Sequence, residues 1–316
     1  MKKILITGAA GQIGSELTEL LRNKYGNENV IATIHNQSNK ESPIAKPFGR
    51  LDSRDQGSLK EIVNNEKIDT VFHLASLLSA KAEENPQLAW DVNANGLVNV
   101  LEVARMYNCA IFFPSSIGAF GPGTPRDNTP QITIQRPNTI YGISKLSGEL
   151  LCDYYYNRYG VEARGVRYPG IISYQAMPGG GTTDYAVHMF YAALQDRQYD
   201  CYLKPATMLD MMYMPDALHA AVTLMQADSK KLQYRNAYNV TAMNLTPQEL
   251  AAEIKKHIPE FEVNYKIDPV RQAIADSWPN YMGDSAARNE WGWQPTYTLS
   301  TMVEDMLQQL AKKLES

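Results

Sequence analysis

Cysteine is scarce in this 316-residue chain: Cys109, Cys152 and Cys201 stand far apart, with no Cys-x-x-Cys pair. That argues against a disulfide framework and a thiolate zinc site, and it points to a reducing compartment, so a cytoplasmic location is expected. The five histidines (His35, His73, His188, His219 and His257) are equally scattered, and no metal is implied. Neither sign of charge dominates. Thirty basic residues against 34 acidic ones leave a net charge of −4, with no electrostatic footprint for nucleic acid or an anionic membrane. No apolar run reaches the ~18 residues that a bilayer span needs. The short apolar start, Met1 to Thr7, is cut off by Gly8-Ala9-Ala10-Gly11 and reads as a buried strand rather than a leader. Internal repeats and low-complexity segments are also missing.

What is present is the composition of an ordinary globular protein, 44% hydrophobic and 20% charged. Strand-like runs at residues 3–7, 30–34, 70–74, 110–114 and 163–168 alternate with helical patterns at 12–25, 58–66, 88–107 and 143–159. This alternation predicts an α/β fold, a Rossmann-like doubly wound parallel sheet, over residues 1–168. Beyond Tyr168, Pro169, Gly170, Pro178 and Gly179-Gly180-Gly181 break the pattern. Helices are expected at 184–195, 215–227, 247–257 and 299–313. Residues 169–316 are read as a smaller C-terminal α/β substrate lobe, some of whose segments return to the first domain.

Thr7-Gly8-Ala9-Ala10-Gly11-Gln12-Ile13-Gly14 follows the first strand and opens a helix. Its glycines allow a tight turn and close backbone approach to a pyrophosphate, and the free amides of the helix N-terminus favour the anion. Gly8, Gly11, Gln12, Ile13 and Gly14 therefore mark a dinucleotide site. An acidic residue about twenty positions on ordinarily holds the adenosine ribose of NAD. Here the second strand runs out through Ile34-His35-Asn36-Gln37-Ser38-Asn39-Lys40, with no acid before Glu41. His35, Asn36, Ser38 or Lys40 can equally meet a 2′-phosphate, so the residues leave NAD and NADP both open.

Tyr141 and Lys145 stand four residues apart at a helix opening and share one helical face. A phenol titrates near ~10, too high for a base at neutral pH, and a neighbouring ammonium favours its phenolate. The spacing alone is common on helix surfaces. Its meaning comes from the glycine loop, and from Ser115-Ser116 at the end of a strand, one of which can hold a substrate oxygen.

Taken together, these segments resemble the extended short-chain dehydrogenase/reductase family over nearly the whole chain. The resemblance rests on the glycine loop, Leu51-Asp52, His73-Leu74-Ala75-Ser76, Asn93, Ser115-Ser116, Tyr141/Lys145 and Arg167-Tyr168-Pro169-Gly170. It implies that Asp52 reaches the adenine, that Leu51, Leu74, Ala75 and Ser76 lie along the cofactor, and that Asn93 supports an active-site water. It places Tyr168 to Ile171 beside the nicotinamide. Within the family, the chain is similar to the branch that oxidises L-threonine. Pro114 to Pro122, Tyr168-Pro169-Gly170-Ile171-Ile172-Ser173, Leu77-Leu78-Ser79-Ala80, Met211 to Met214 and Gly179-Gly180-Gly181-Thr182-Thr183-Asp184-Tyr185-Ala186 carry that likeness. It departs at Ile34, where NAD-using relatives are expected to carry Asp.

The expected reaction is oxidation of the L-threonine 3-hydroxyl to 2-amino-3-ketobutyrate, with Tyr141 as base, Lys145 as its activator and Ser116 holding the oxygen. Ser115 is the alternative for that last role. Ser79, Gly181, Thr182 and Thr183 suit the amino-acid carboxylate. Asp184 suits either substrate or the N-cap of the following helix, and residues 179–181 suit a lid. Two other readings are a nucleotide-sugar epimerase or dehydratase, for which no UDP cradle is evident, and a silent cofactor sensor, which has no need of an acid–base set. Leu97, Val100, Leu101, Leu146, Leu150 and Leu151 give helices 88–107 and 143–159 wide apolar faces, suited to internal packing or, as the resemblance implies, to a homodimer.

Overall fold

The strand β1 (Ile4–Thr7) passes through the glycine loop into α1 (Gln12–Tyr25), then β2 (Val30–Ile34) and β3 (Phe48–Arg50). The helix α2 (Gln56–Asn65) returns the chain to β4 (Thr70–His73), and α3 (Ser79–Glu84), α4 (Pro86–Trp90) and α5 (Gly96–Tyr107) lead to β5 (Ala110–Phe112) and β6 (Ser115–Ser116). The long α6 (Ile140–Tyr159) precedes β7 (Ala163–Arg164), β8 (Val166–Tyr168) and β9 (Gly170–Ile172). These elements belong to a computed structural model that describes residues 1–35 and 48–315.

Six strands form one parallel sheet in the order β3-β2-β1-β4-β5-β7. Its apolar strand residues divide by face. Ile4, Ile6, Phe72 and Phe112 pack on one side, and Leu5, Val71 and Ile111 pack on the other. A sheet covered on both faces needs such near-continuous apolar strands, which is why these runs stood out in the sequence. The chain leaves β1 toward β2 and β3 and later crosses to β4, so a crevice opens at the C-terminal ends of β1 and β4.

Three expected elements are divided in the structure. The helix expected at 88–107 is interrupted by a π turn, Asp91–Asn95, which carries Asn93 inward to bond the backbone of Leu77. The strand expected at 163–168 becomes β7 in the main sheet and β8, which pairs with β6. The run expected at 110–114 likewise ends at Phe112, and β6 follows as a separate strand. The helix α6 starts three residues before the expected 143, because the Thr139 side chain accepts from the Gly142 amide at 3.1 Å and caps it. Tyr141 is thereby placed in the first turn.

The rest of the chain comprises α7 (Tyr185–Gln195), β10 (Gln198–Cys201), β11 (Leu209–Tyr213), α8 (Met214–Gln226), β12 (Tyr238–Asn239), β13 (Met243–Leu245), α9 (Pro247–His257), β14 (Glu262–Tyr265), α10 (Pro269–Asp276), α11 (Ser285–Trp291) and α12 (Leu299–Glu315). The strand β11 lies between β9 and β13, and β12 continues the short sheet of β8 and β6. Met212, Met214 and Leu224 pack with Ile4, Ile6 and Phe72, whereas α7, α9 and α12 enclose a separate core around Phe190, Met306 and Leu310. Among the described residues, no helix is long and apolar enough to cross a membrane.

The helix α9 is the clearest capped element: Thr246 Oγ1 accepts from the Glu249 amide at 3.1 Å, and Glu249 returns a carboxylate to the Thr246 amide at 2.8 Å. Replacing Thr246 with Ala is expected to cost about 1 kcal/mol. Thermal unfolding checks this as a lowered Tm, with the circular-dichroism spectrum of the folded protein retained.

Candidate active site

The loop between β1 and α1 forms the floor of an open cleft with a cavity volume of about 190 Å3. Gly8 has φ +70°, and a Cβ on Gly14 would lie 2.4 Å from the Gly8 carbonyl oxygen, so the turn closes only without side chains. Backbone, rather than side chain, therefore faces the cleft at the opening of α1, where free amides suit a pyrophosphate. That is the fit a dinucleotide requires. Gln12 spans the cleft edge, its Nε2 donating to Ser173 Oγ at 2.8 Å. Beneath the loop, Thr7 Oγ1 lies 2.8 Å from His73 Nδ1. Burial drives the His73 pKa down to about 3, so this ring is neutral at working pH.

Ser116, Tyr141 and Lys145 converge on the same cleft. The turn after Ser116 packs directly on α6: a Cβ on Gly142 would sit 2.1 Å from the Gly118 carbonyl oxygen, which no side chain tolerates. Ser116 Oγ accepts from the Gly118 amide at 3.1 Å, which orients the hydroxyl. Burial raises the Tyr141 phenol above its ordinary value, and a side-chain hydrogen bond with Ser116 opposes that rise. Lys145 Nζ donates to the Pro114 carbonyl at 2.8 Å and lies 5.6 Å from the centre of the Tyr141 ring. Burial draws the ammonium down to about 8, against the pull of Glu149.

The two serines part company here. The Ser115 hydroxyl donates to the Glu149 carboxylate, and Ser116 is the serine whose side chain lowers the phenol pKa. Opposite the tyrosine, Gly181, Thr182, Thr183 and Asp184 form a strap over the cleft. Thr182 Oγ1 lies 3.4 Å from Ser79 Oγ, and its carbonyl accepts from the Tyr202 hydroxyl at 3.2 Å. Asp184 turns back on the strap, accepting from the Gly180 and Gly181 amides at 2.9 and 2.7 Å. Burial raises its pKa while those amides oppose the rise. Its Oδ2 holds both glycine amides, and it makes no side-chain N-cap bond to α7.

Gly8, Gly11, Gln12, Ile13, Gly14, Leu74, Ser76, Ser79, Tyr168 and Ile171 all line the cleft, as expected from the sequence. Four anticipated residues do not. Leu51 is buried in the core under α2, and Ala75 lies under the loop, its amide 2.7 Å from where a Gly8 Cβ would sit. Asn93 spends its amide on the Leu77 backbone at 2.8 and 3.1 Å and on Ser144 Oγ at 3.1 Å. It braces the wall of the cleft from behind. Asp52 lies off the cleft in a surface group, paired with Arg54 at 2.7 Å and His35 at 3.1 Å. The Arg54 hydrogen bond leads in holding its pKa down to about 2. Asn36, Ser38 and Lys40 lie outside the described residues.

Leu78, Pro114 and Ile117, which the sequence marked only as parts of family-like segments, also line the cleft, as does Trp278, which it did not mark at all. Trp278 arrives from the far end of α10, and its only local signal is a large ring between a helix end and Pro279.

The fold and this site define a Rossmann-type dinucleotide-binding protein with Ser116, Tyr141 and Lys145 gathered in one cleft. Residues 4–241 match the model of the NAD dependent epimerase/dehydratase family, and the chain belongs to that family. It is 52% identical to an uncharacterized epimerase/dehydratase of Staphylococcus haemolyticus over 99% of both chains. It is also similar to the solved structure of an L-threonine dehydrogenase from Clostridium difficile, with TM-score 0.95 and 54% identity over 99% of this chain and 98% of the other. A monomeric L-threonine 3-dehydrogenase from a metagenome matches with TM-score 0.94 and 45% identity, covering 99% of this chain and 100% of that one.

The burial of Lys145 has a measurable consequence. Its pKa is near 8 in the folded protein and near the ordinary lysine value of 10.5 when unfolded. Below about pH 8 both states hold the proton and the burial cost is fully present; as pH rises toward 10.5 only the unfolded state holds it, and stability recovers. Lys145→Met is therefore expected to melt above wild type at pH 7, with the gap narrowing through that window. Paired thermal melts across pH, without added cofactor, check this.

Proposed function

We infer that this protein is an L-threonine 3-dehydrogenase: it oxidises the 3-hydroxyl of L-threonine to 2-amino-3-ketobutyrate, with NAD as hydride acceptor. The observation carrying this reading is the convergence of Ser116, Tyr141 and Lys145 with the Thr182–Thr183 strap in one cleft, in a chain 54% identical to an L-threonine dehydrogenase. When bound, the nicotinamide supplies the acceptor for the C3 hydride. Tyr141 takes the hydroxyl proton. Ser116, oriented by the Gly118 amide, holds the oxygen as its charge changes. Lys145 stabilises the phenolate by its charge.

Ser79, Thr182 and Thr183 supply hydroxyls for the substrate carboxylate, and Gly181 adds a backbone amide. Trp278 closes the apolar side of the cleft. Asp184 acts on substrate indirectly, by shaping the glycine strap. The family description names NAD, and we assign it as the cofactor on that ground. The same description covers epimerases and dehydratases, but residues 169–316 bring no arginine or lysine to the described cleft for a UDP diphosphate. A purely sensing role leaves the gathered Ser-Tyr-Lys set without a purpose.

Residues 1–168 would supply the dinucleotide and residues 169–316 mainly the substrate contacts. Buried unpaired cysteines suit the cytoplasm. We assign a homodimer to the outer faces of α5 and α6. Leu97, Val100 and Leu101 are committed to the internal core, while Met106, Tyr107, Ile143, Leu150 and Tyr154 remain exposed and apolar. Sedimentation of wild type and Leu150→Glu tests this: a dimer converted to monomer is expected, and a monomeric wild type refutes it.

Tyr141→Phe should remove nearly all threonine-dependent NADH formation while NAD still binds by calorimetry. Thr182→Ala should mainly raise KM for threonine. Initial rates with threonine under NAD and NADP, and with UDP-glucose in its place, decide substrate and cofactor together.

A further inference from the structure

Glu149 lies two helical turns beyond Tyr141 and one beyond Lys145, on the same side of α6. It is almost completely buried, and both carboxylate oxygens are occupied. Oε1 accepts from the Ser115 hydroxyl and from Arg167 Nε at 3.0 Å; Oε2 accepts from Arg167 Nη2 at 2.8 Å and Gln135 Nε2 at 3.1 Å. Arg167 continues outward to the Gln131 carbonyl at 2.9 Å and Asn239 Oδ1 at 3.0 Å. None of these groups reaches the cleft except Ser115.

The strand register gives the network its meaning. The strands β6 and β8 are parallel, with Ser115 opposite Arg167 and Ser116 opposite Tyr168. Side chains alternate across a strand, so when one pair faces α6 the next must face the other way. Glu149 binds both members of the first pair. We propose that Glu149 is the positioning residue of this site: by gripping Ser115 and Arg167 it fixes the register that turns Ser116 toward the cleft. Its charge also favours the ammonium form of Lys145. The role in turnover rests on the dehydrogenase reading above; the geometric role does not.

The charge part follows from what surrounds Lys145. On its own helix stand Tyr141, Glu149 and Cys152; from β4 comes His73, neutral through burial; from β8 comes Arg167, already neutralised by Glu149. Glu149 is the foremost group opposing loss of the Lys145 proton. Neutralising it removes that support and favours neutral lysine.

A double-mutant cycle of Glu149→Gln and Ser115→Ala tests the proposal. Ser115→Ala is expected to lower kcat about tenfold with little change in Tm, and Glu149→Gln to lower it at least as far. Because Glu149 acts through Ser115, the double variant should be no slower than Glu149→Gln alone. The alkaline limb of kcat/KM should move down by about one pH unit in Glu149→Gln and stay in place in Ser115→Ala. Losses that multiply, or a folded Glu149→Gln with wild-type kcat and pH profile, overturn the proposal. If Glu149→Gln does not fold, wild-type kcat in Ser115→Ala overturns it by itself, and a tenfold loss restored by Ser115→Thr upholds it. Titration of Lys145 by 13Cε-lysine NMR, assigned with Lys145→Met, reads the charge effect without turnover. A wild-type protein inert toward threonine would therefore count against the substrate reading, while this titration still decides the role of Glu149.

Discussion

A fully buried ammonium, Lys145, donating 2.8 Å to the Pro114 carbonyl, is the constraint around which the centre of this protein is arranged. An isolated charge in such a place is costly, and it persists only where hydrogen bonds and opposite charge offset desolvation. The carbonyl end of the strand segment before β6, the Phe113 ring 4.9 Å away and the Glu149 anion one turn along α6 provide that offset. Each comes from an element that also carries part of the site. Holding the lysine therefore also sets the distance between α6 and the serine strand.

The same economy governs the opposite wall. The π turn at Asp91–Asn95 turns Asn93 toward the Leu77 backbone, so a polar side chain braces the loop that leads into Ser79. Ser79 in turn meets Thr182, and Asp184 gathers the amides of Gly180 and Gly181. The strap is thus tied to the nucleotide-binding half by hydroxyls and to itself by a carboxylate. A cleft made this way has one wall rigid and fully packed and the other held by a few polar contacts, a division suited to admitting a small substrate beside a large cofactor.

Much of this was legible in the chain. The strands of the main sheet are apolar because they are covered on both faces, and that leaves a local trace. The glycine loop is legible for a similar reason, since only residues without Cβ allow α1 to start against Gly8. Tyr141 and Lys145 could be paired from spacing alone because helical geometry is fixed. Boundaries were less visible: Thr139 caps α6 earlier than periodicity suggests, and the helix read at 88–107 conceals a π turn, whose cause is a tertiary bond from Asn93. The pairing of Asp52 with Arg54 and His35 also left no trace in the sequence pattern. Trp278 left almost no trace, since its neighbours in the cleft are far away along the chain.

The sequence by itself determined the alternation of strands and helices, the phosphate-binding turn and the common face of tyrosine and lysine, because each depends on contacts or dihedral preferences within a few residues. Only the tertiary structure decided which serine meets the phenol, that Asp184 serves the strap, and that Asn93 is a brace. Those outcomes depend on register and on buried partners between distant segments. A two-residue strand such as β6 has no periodicity of its own, so the direction of its side chains is set by what lies across from it: Arg167, Tyr168 and Glu149.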